Sequence, residues 1–207
     1  MKVIAVNGSP RPNGNTYQAL QAAGEVFQSK RIAFEVLQVG GADLRGCIAC
    51  GTCSKNGGHC VFADHQFEEW MAQLKEADGI LLASPVYYAS IAGGMKAFLD
   101  RAFYSNSSAF YHKVGGAFAV LRRTGGIDAY DELLHYMTIT EMLVAPMKYW
   151  GVVHGAAPGE VLDDQEGLAV VRRMAENMVW LMELTAYGKE AVQEPAPTAL
   201  PRTNFIR

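Results

Sequence analysis

The sequence has no hydrophobic run long enough to cross a membrane. A transmembrane helix needs about 20 consecutive apolar residues, and no stretch here reaches even about 18. Only residues 3–7 separate the initial Met1-Lys2 from a Gly-Ser-Pro turn, which is too short for the apolar part of a secretory signal. We therefore expect no membrane partner and a cytoplasmic protein.

The chain also lacks a marked excess of charge of either sign. The chain has 18 Lys and Arg against 21 Asp and Glu, a formal net charge of -3, and no block of like-signed residues. Proteins that bind nucleic acid or anionic membranes through charge present concentrated basic patches. The composition therefore predicts no nucleic-acid partner and favours small-molecule chemistry.

Cysteine is limited to four residues. Without an export signal the chain is expected in a reducing compartment, where stable disulfides are uncommon. The thiols are therefore candidates for a metal, a cluster or a redox role.

Short apolar runs that alternate with helical patterns dominate the rest of the chain. Strands buried on both faces of a parallel sheet have unbroken apolar runs, whereas helices that cover a sheet have apolar residues at three- and four-residue steps. The predicted strands are residues 3–6, 32–39, 79–83, 116–121 and 151–155, and the predicted helices are 16–28, 67–77, 91–104, 128 to about 145, and 165–187.

This alternation predicts an α/β fold, a three-layer sandwich in which a five-stranded parallel sheet of order 2-1-3-4-5 has helices on both faces. In such sheets a ligand binds beyond the carboxyl ends of the strands, at the switch point between strands one and three. We expect one domain over residues 1–190, with a cysteine-rich insertion at 46–60. Residues 191–207 are expected to form an extended tail, either solvated or docked through Phe205-Ile206 on this subunit or a neighbour.

The segment that follows the first strand, residues 7–16, suits an anion. Its glycines let the backbone approach a ligand, Ser9, Asn15 and Thr16 offer side-chain donors, and the following helix start adds backbone N–H groups. The segment lacks the lysine of a nucleotide P-loop and the three-glycine dinucleotide pattern, so the terminal phosphate of FMN is the favoured ligand. The alternative is that Asn15 and Thr16 only cap the helix.

Residues 84–90 are predicted as a loop after the third strand and contain two adjacent tyrosines. Tyr87 and Tyr88 can place an aromatic face against a planar ring while backbone amides reach its polar edge. The alternative is a pair of partly buried anchors.

Residues 121–126 follow the fourth strand, so they meet the other two loops at the same sheet edge. Thr124 and the two glycines can approach a flavin, and Arg122 or Arg123 can hold negative charge on a reduced flavin or a nicotinamide cofactor's phosphate. The alternative is a solvated turn.

Three motifs resemble the NADPH-dependent FMN reductase family: Gly8-Ser9-Pro10-Arg11 with Gly14-Asn15-Thr16, Ser84-Pro85-Val86-Tyr87, and Lys96-Ala97-Phe98-Leu99-Asp100-Arg101. The resemblance covers most of residues 1–190. It implies a flavodoxin-like fold, FMN with its phosphate in the first loop and its isoalloxazine against the other two, and NAD(P)H as donor. Since the flavin carries the chemistry, we name no catalytic residue. The implied FMN contacts are Ser9, Arg11, Asn15, Thr16, Pro85, Val86, Tyr87, Tyr88, Thr124 and Gly125.

The four cysteines lie in one segment with two, two and six residues between successive thiols. Such spacing lets thiolates surround a compact iron-sulfur core, and it resembles the motif of the iron-sulfur flavoprotein branch of the family, which implies a 4Fe–4S cluster. The spacing differs from that of bacterial ferredoxins, in which three residues precede the fourth cysteine and proline follows it. Here six residues precede Cys60 and Val61 follows it, which disfavours a ferredoxin-type motif. A zinc site and empty or redox-active thiols remain alternatives. The proposed ligands are Cys47, Cys50, Cys53 and Cys60, and Asp64 is predicted to cap the next helix.

The resulting hypothesis is an FMN-dependent oxidoreductase, either an NAD(P)H:FMN or quinone-type reductase or an electron-transferring iron-sulfur flavoprotein. Its expected partner is a small-molecule electron acceptor or a ferredoxin-like protein. Relatives are commonly oligomeric, so the resemblance implies a homodimer or homotetramer. The alternatives are a non-catalytic electron carrier and a zinc-stapled FMN-binding module.

Overall fold

A largely parallel sheet with helices on both faces forms the centre of the computed structural model, which describes residues 1–62, 65–196, 198, 200, 201 and 203. The strands are β1 Lys2–Asn7, β2 Ala33–Gln38, β3 Gly79–Tyr87, β4 Ser90–Ile91, β5 Val114–Leu121, β6 Leu143–Val144 and β7 Val152–His154. The helices are α1 Asn15–Ser29, α2 His65–Glu76, α3 Gly93–Asn106, α4 Gly126–Ile139 and α5 Gln165–Gly188, with short 3-10 turns at Thr52–Lys55, Ser107–Phe110 and Glu160–Asp163.

Alternate residues of each central strand enter two separate cores, because successive side chains of a strand point to opposite faces. Ile4 and Val6 of β1 pack into a core that α2, α3 and α4 complete. Val3 and Ala5 pack into a second core that α1 and α5 complete. The predicted three-layer sandwich is confirmed.

The strand order β2-β1-β3-β5-β6 confirms the predicted 2-1-3-4-5 arrangement. The fifth position is divided between two short strands. β6 pairs with the start of β5, whereas β7, which is the predicted fifth strand, pairs with its end. Both pairings are parallel, so β7 still brings its carboxyl end to the same edge as β1, β3 and β5.

The prediction that the fourth helix continues to about residue 145 is wrong. The helix α4 ends at Ile139, and Glu141 adopts a positive φ of 56° that turns the chain back toward the sheet. Leu143 and Val144 then pair with Val114 and Gly115. The apolar pattern runs on past the helix end, but pairing with β5 determines the conformation there.

The prediction of a loop over residues 84–90 is also wrong in part. β3 continues to Tyr87, then turns through Tyr88 and Ala89 into the antiparallel strand β4. Pro85 still lies in the parallel ladder, opposite Val120. The segment is therefore a β-hairpin with a two-residue turn.

The end of the described chain is extended and exposed. The Tyr111 hydroxyl donates to the carbonyl oxygen of Pro195 at 2.9 Å, which ties the tail to the amino-terminal end of β5. The predicted docking pair Phe205-Ile206 and the predicted cap Asp64 lie outside the described residues. Among the helices that the structure describes, none is both long and apolar enough to span a membrane.

Candidate functional site

The three predicted loops meet at the carboxyl edge of the sheet. The Gly8 amide donates to the Ala83 carbonyl oxygen at 2.8 Å, which joins the first loop to the middle of β3. Gly125 of the third loop packs on the hairpin, since a Cβ there would lie 2.9 Å from Ala89 Cβ. The first loop thus contacts the middle of β3, and the third loop contacts the turn of the hairpin in which β3 ends.

A stack of glycines supports the first loop, and sequence reasoning missed its central member, Gly40. A Cβ on Gly40 would lie 2.2 Å from the Gly8 carbonyl oxygen and 2.4 Å from the Ser9 carbonyl carbon. A Cβ on Gly94, at the start of α3, would lie 3.1 Å from the Gly40 oxygen. The position of Gly40 directly after a strand, beside a second glycine, was the available signal.

The helix start after the first loop is open to an anion. Gly14, the residue before α1, is extended, and in the described chain no side chain caps the helix and no acidic residue lies in its first turn. Unpaired N–H groups at a helix start attract negative charge. Ser9 and Thr16 are buried beside this start, whereas Arg11 is exposed. The Ser9 hydroxyl oxygen accepts the Arg11 amide at 3.1 Å, which shapes the loop.

Asn15 links the first loop to the segment that follows β7. Its Nδ2 donates to the Ala157 carbonyl oxygen at 2.9 Å, and its Oδ1 accepts the Gly159 amide at 2.9 Å. Both polar atoms of the side chain are therefore engaged within the protein. The side chain of Asn15 therefore joins two loops, and its backbone N–H lies at the start of α1.

The hairpin turn holds two non-glycine residues in the left-handed region. Tyr88 has φ 52° and Ala89 φ 59°, the two positive values that a type I′ turn requires. Such positions cost about 1–2 kcal/mol each for ordinary residues and are found at functional sites when surrounding contacts hold them. The turn leaves Tyr88 completely exposed and Tyr87 47% exposed, while Pro85 and Val86 are partly buried.

Glu132 of α4 anchors this hairpin, a role that the sequence analysis did not assign. Its Oε2 accepts the Ser90 hydroxyl at 2.7 Å and the Ile91 amide at 3.1 Å. The buried Ser84 hydroxyl oxygen accepts the Ala92 amide at 2.9 Å. These bonds fix both ends of β4, so the exposed turn stands on a rigid base.

The third loop borders a groove of about 390 Å³ at the free side of β7. Thr124 and Gly125 lie on its wall, and Gly125 has φ 84°, so its conformation suits glycine. Tyr149 and Trp150 also line it, and their rings stack at 5.6 Å between centroids. Arg122 and Arg123 are exposed, and Arg123 also lines the groove.

All four cysteines line one small cavity of about 20 Å³. All four are free thiols; Cys53 is buried and Cys50 exposed. In the part of the chain that the structure describes, no group of three or more His, Cys, Asp or Glu side chains is arranged to hold a single metal ion. Gly51, Gly57 and Gly58 all have positive φ, which lets the segment fold around the cavity.

Local hydrogen bonds reach two of these thiols and favour the thiolate form of Cys50. The Ala49 amide donates to Cys47 Sγ at 3.4 Å. A hydrogen bond from the Thr52 side chain, assisted by its backbone N–H, lowers the pKa of the Cys50 thiol below its usual value. Metal and cluster ligands are thiolates, so these contacts suit a ligand role.

Arg101, from the third sequence motif, reaches the same cavity from α3. It is 2% exposed, donates to the Phe62 carbonyl oxygen at 2.8 Å, and lies 4.1 Å above the Phe67 ring centre. Arg101 belongs to the motif that carries the family resemblance, but the sequence alone indicates no role for it.

The other charged residues of that motif join α3 to α4. Lys96 Nζ donates to Asp100 Oδ1 at 2.7 Å and contacts the Tyr136 hydroxyl at 2.8 Å. Burial, with a hydrogen bond to Asp100, raises the pKa of Tyr136 to about 12, so its hydroxyl stays protonated. We assign this cluster to packing between the helices.

Comparison with known proteins identifies the family and the fold of this chain. A model of the NADPH-dependent FMN reductase family matches residues 1–157. An iron-sulfur flavoprotein of Methanocaldococcus jannaschii is 33% identical, over 89% of this chain and 98% of its own length. Another, from Methanosarcina thermophila, is 28% identical, over 92% of this chain and 100% of its own.

Solved structures at lower identity show the same fold. RosB, in a crystal structure with a bound riboflavin-phosphate intermediate, has a TM-score of 0.72 at 17% identity, covering 100% of this chain and 94% of RosB. An archaeal flavodoxin has a TM-score of 0.57 at 22% identity, covering 86% of this chain and 99% of its own. The fold is therefore flavodoxin-like.

The family match extends through every strand and loop that forms the carboxyl edge, from β1 to β7. It includes the first loop, the hairpin, the third loop and the cysteine segment. The chain therefore belongs to the NADPH-dependent FMN reductase family and is an FMN-dependent oxidoreductase.

Proposed function

We propose that this oxidoreductase transfers electrons from NAD(P)H, through FMN, to an iron-sulfur cluster and on to an acceptor. The observation that carries the proposal is the placement of four free thiols around one cavity. Relatives across most of the chain are named iron-sulfur flavoproteins, which supports it. Bound together, flavin and cluster would convert the two-electron donor to one-electron transfer.

The proposed FMN site is the carboxyl edge of the sheet. Its phosphate is assigned to Ser9, Arg11, Asn15 and Thr16, because the uncapped start of α1 supplies N–H groups there. The ring is assigned to the hairpin and third loop, which present exposed aromatic surface and a glycine backbone that a ring can approach closely. These ring contacts are Pro85, Val86, Tyr87, Tyr88, Thr124 and Gly125.

The proposed cluster ligands are Cys47, Cys50, Cys53 and Cys60. A 4Fe–4S cluster binds each thiolate through a different iron atom, so its ligands lie further apart than those of one zinc ion. Four free thiols also suit the reducing cytoplasm, where we place the protein.

The proposed acceptor is a small molecule or a ferredoxin-like protein, and the proposed assembly is a homodimer or homotetramer.

We retain residues 1–190 as the flavin-binding domain and 191–207 as a tail. Within the domain, the cysteine segment at 46–60 packs on α3 through the contact of Gly58 with Asn106.

Anaerobic purification, followed by iron, sulfide and zinc analysis with a visible spectrum, tests the cluster. We expect iron and acid-labile sulfide in equal amounts, and absorbance beyond that of FMN that dithionite bleaches. NAD(P)H oxidation with quinone, FMN and ferredoxin as acceptors then tests the enzyme. Zinc without sulfide would support the alternative of a zinc-stapled module, and electron exchange with ferredoxin but no NAD(P)H oxidation would support the carrier alternative.

Replacing Tyr88 with alanine tests the proposed ring contact. Because the side chain is fully exposed, its loss leaves apo-protein stability unchanged within about 0.5 kcal/mol. Loss of aromatic stacking on the flavin is expected to weaken FMN binding roughly 5- to 10-fold, equivalent to about 1–1.4 kcal/mol. Fluorescence titration of FMN measures it.

Tyr187→Ala is the matched control, since Tyr187 is also exposed but lies near the end of α5, away from the carboxyl edge. It is expected to bind FMN as the unchanged protein does. Equal FMN affinities for the Tyr88 variant and this control would remove Tyr88 from the site.

A further inference from the structure

Arg101 is a buried cation whose charge is not balanced by an ion pair with any residue that the structure describes. The side chain is 2% exposed and its Nε is buried without a hydrogen-bond partner. Its contacts are neutral: the Phe62 carbonyl oxygen at 2.8 Å, the Arg45 carbonyl oxygen at 3.5 Å and the Phe67 ring. Among the ion pairs of the described residues, none includes Arg101.

A buried, unpaired charge is costly, because the protein interior solvates an ion far less well than water does. Two carbonyl dipoles and one aromatic ring recover only part of this cost. A guanidinium keeps its proton at any ordinary pH, so neutralisation is not available. The missing contribution is a nearby negative charge.

The cavity that Arg101 lines supplies the place for that charge. The same cavity is bordered by all four cysteines, which carry negative charge as ligands of a metal centre. Four thiolates around an iron-sulfur core give the whole centre a net negative charge, and reduction by one electron adds another. A cation held in a low-dielectric wall stabilises the added charge more than an exposed cation does.

We propose that Arg101 is the counter-ion of the cluster and a positioning residue that raises its reduction potential. The proposal rests on the proposed cluster at the four cysteines. The step that it affects is the entry of one electron, from reduced FMN in turnover or from dithionite in a titration. No bond forms or breaks in this step, and the guanidinium gives up no proton.

Arg101 also has a structural contact that the test must separate from its charge. Its bond to the Phe62 carbonyl holds the chain just beyond Cys60. Lysine at this position keeps the positive charge, whereas glutamine keeps a hydrogen-bond donor and removes the charge. Comparing Arg101→Lys with Arg101→Gln therefore distinguishes the two roles.

The experiment is a dithionite titration of the reconstituted, FMN-loaded full chain and its variants, with iron and sulfide measured in each. We expect Arg101→Gln to shift the cluster midpoint to a more negative potential and Arg101→Lys to stay near the original value. Arg45→Gln is the control. Arg45 is an exposed cation 4.5 Å above the Phe62 ring, so solvent screens it and its loss leaves the potential unchanged.

An unchanged midpoint in Arg101→Gln overturns the inference while leaving the cluster proposal intact. If Arg101→Gln loses the cluster, retention in Arg101→Lys supports the charge role, and loss in both variants assigns Arg101 to loop structure alone. Absence of iron and sulfide from the unsubstituted protein removes both proposals, which separates that failure from the others.

Discussion

Replacing Gly40 with alanine is expected to weaken FMN binding at least about tenfold, or about 1.4 kcal/mol. The new Cβ would lie 2.2 Å from the Gly8 oxygen and 2.4 Å from the Ser9 carbonyl carbon. Both are backbone atoms, so no side chain can move aside and the proposed phosphate loop must shift. Overpacking of this kind also costs about 1–3 kcal/mol of stability, a fall in Tm of roughly 2–12 °C.

Gly41→Ala is the neighbouring control. Its Cβ would meet the Pro10 oxygen at 3.4 Å, an ordinary contact, and the residue is exposed. FMN fluorescence titration and thermal unfolding of the apo-proteins compare the variants. If Gly40→Ala binds FMN as tightly as Gly41→Ala does, the first loop does not bind the phosphate.

Replacing Cys50 with alanine is expected to abolish the proposed cluster while FMN stays bound. Cys50 is exposed, so folding of the apo-protein does not depend on it and its Tm should not change. One of four thiolate ligands is lost, and the remaining three leave one iron atom without its protein ligand. Iron, sulfide and flavin contents, measured on anaerobically reconstituted protein, report the outcome.

Ser54→Ala provides the control for that experiment. Ser54 lies in the same 3-10 turn as Cys53, and its exposed hydroxyl donates to the Gly51 carbonyl oxygen at 2.8 Å. This variant should retain the iron and sulfide of the unsubstituted protein. A Cys50→Ala variant with unchanged iron and sulfide would contradict the four-cysteine ligand set.

Much of the fold was predictable because β1, β3 and β5 are buried on both faces. Unbroken apolar runs in such strands leave few alternatives, and right-handed crossovers then fix the strand order. The positions of the first and third loops followed from where those strands end. The four cysteines were expected to be near one another because the chain between them is short.

The misassigned segments are those where two structures satisfy the same local pattern. Residues 143–144 extend an apolar helical pattern, yet they form β6, because the hydrogen bonds of β5 are available to them. Ser84 and Pro85 look like a turn, yet they continue β3 because Val120 lies opposite. The local sequence does not specify which strand will lie beside a given segment.

The sequence alone determined that a parallel α/β sheet forms, that its loops suit a flavin and that four thiols lie close together. These are properties of composition and spacing along the chain. Only the tertiary structure placed Gly40 beneath the first loop, Glu132 behind the hairpin and the buried Arg101 at the cysteine cavity. Each of these three placements depends on residues that come from separate elements. A pattern of neighbouring residues in the sequence does not determine how close such elements lie.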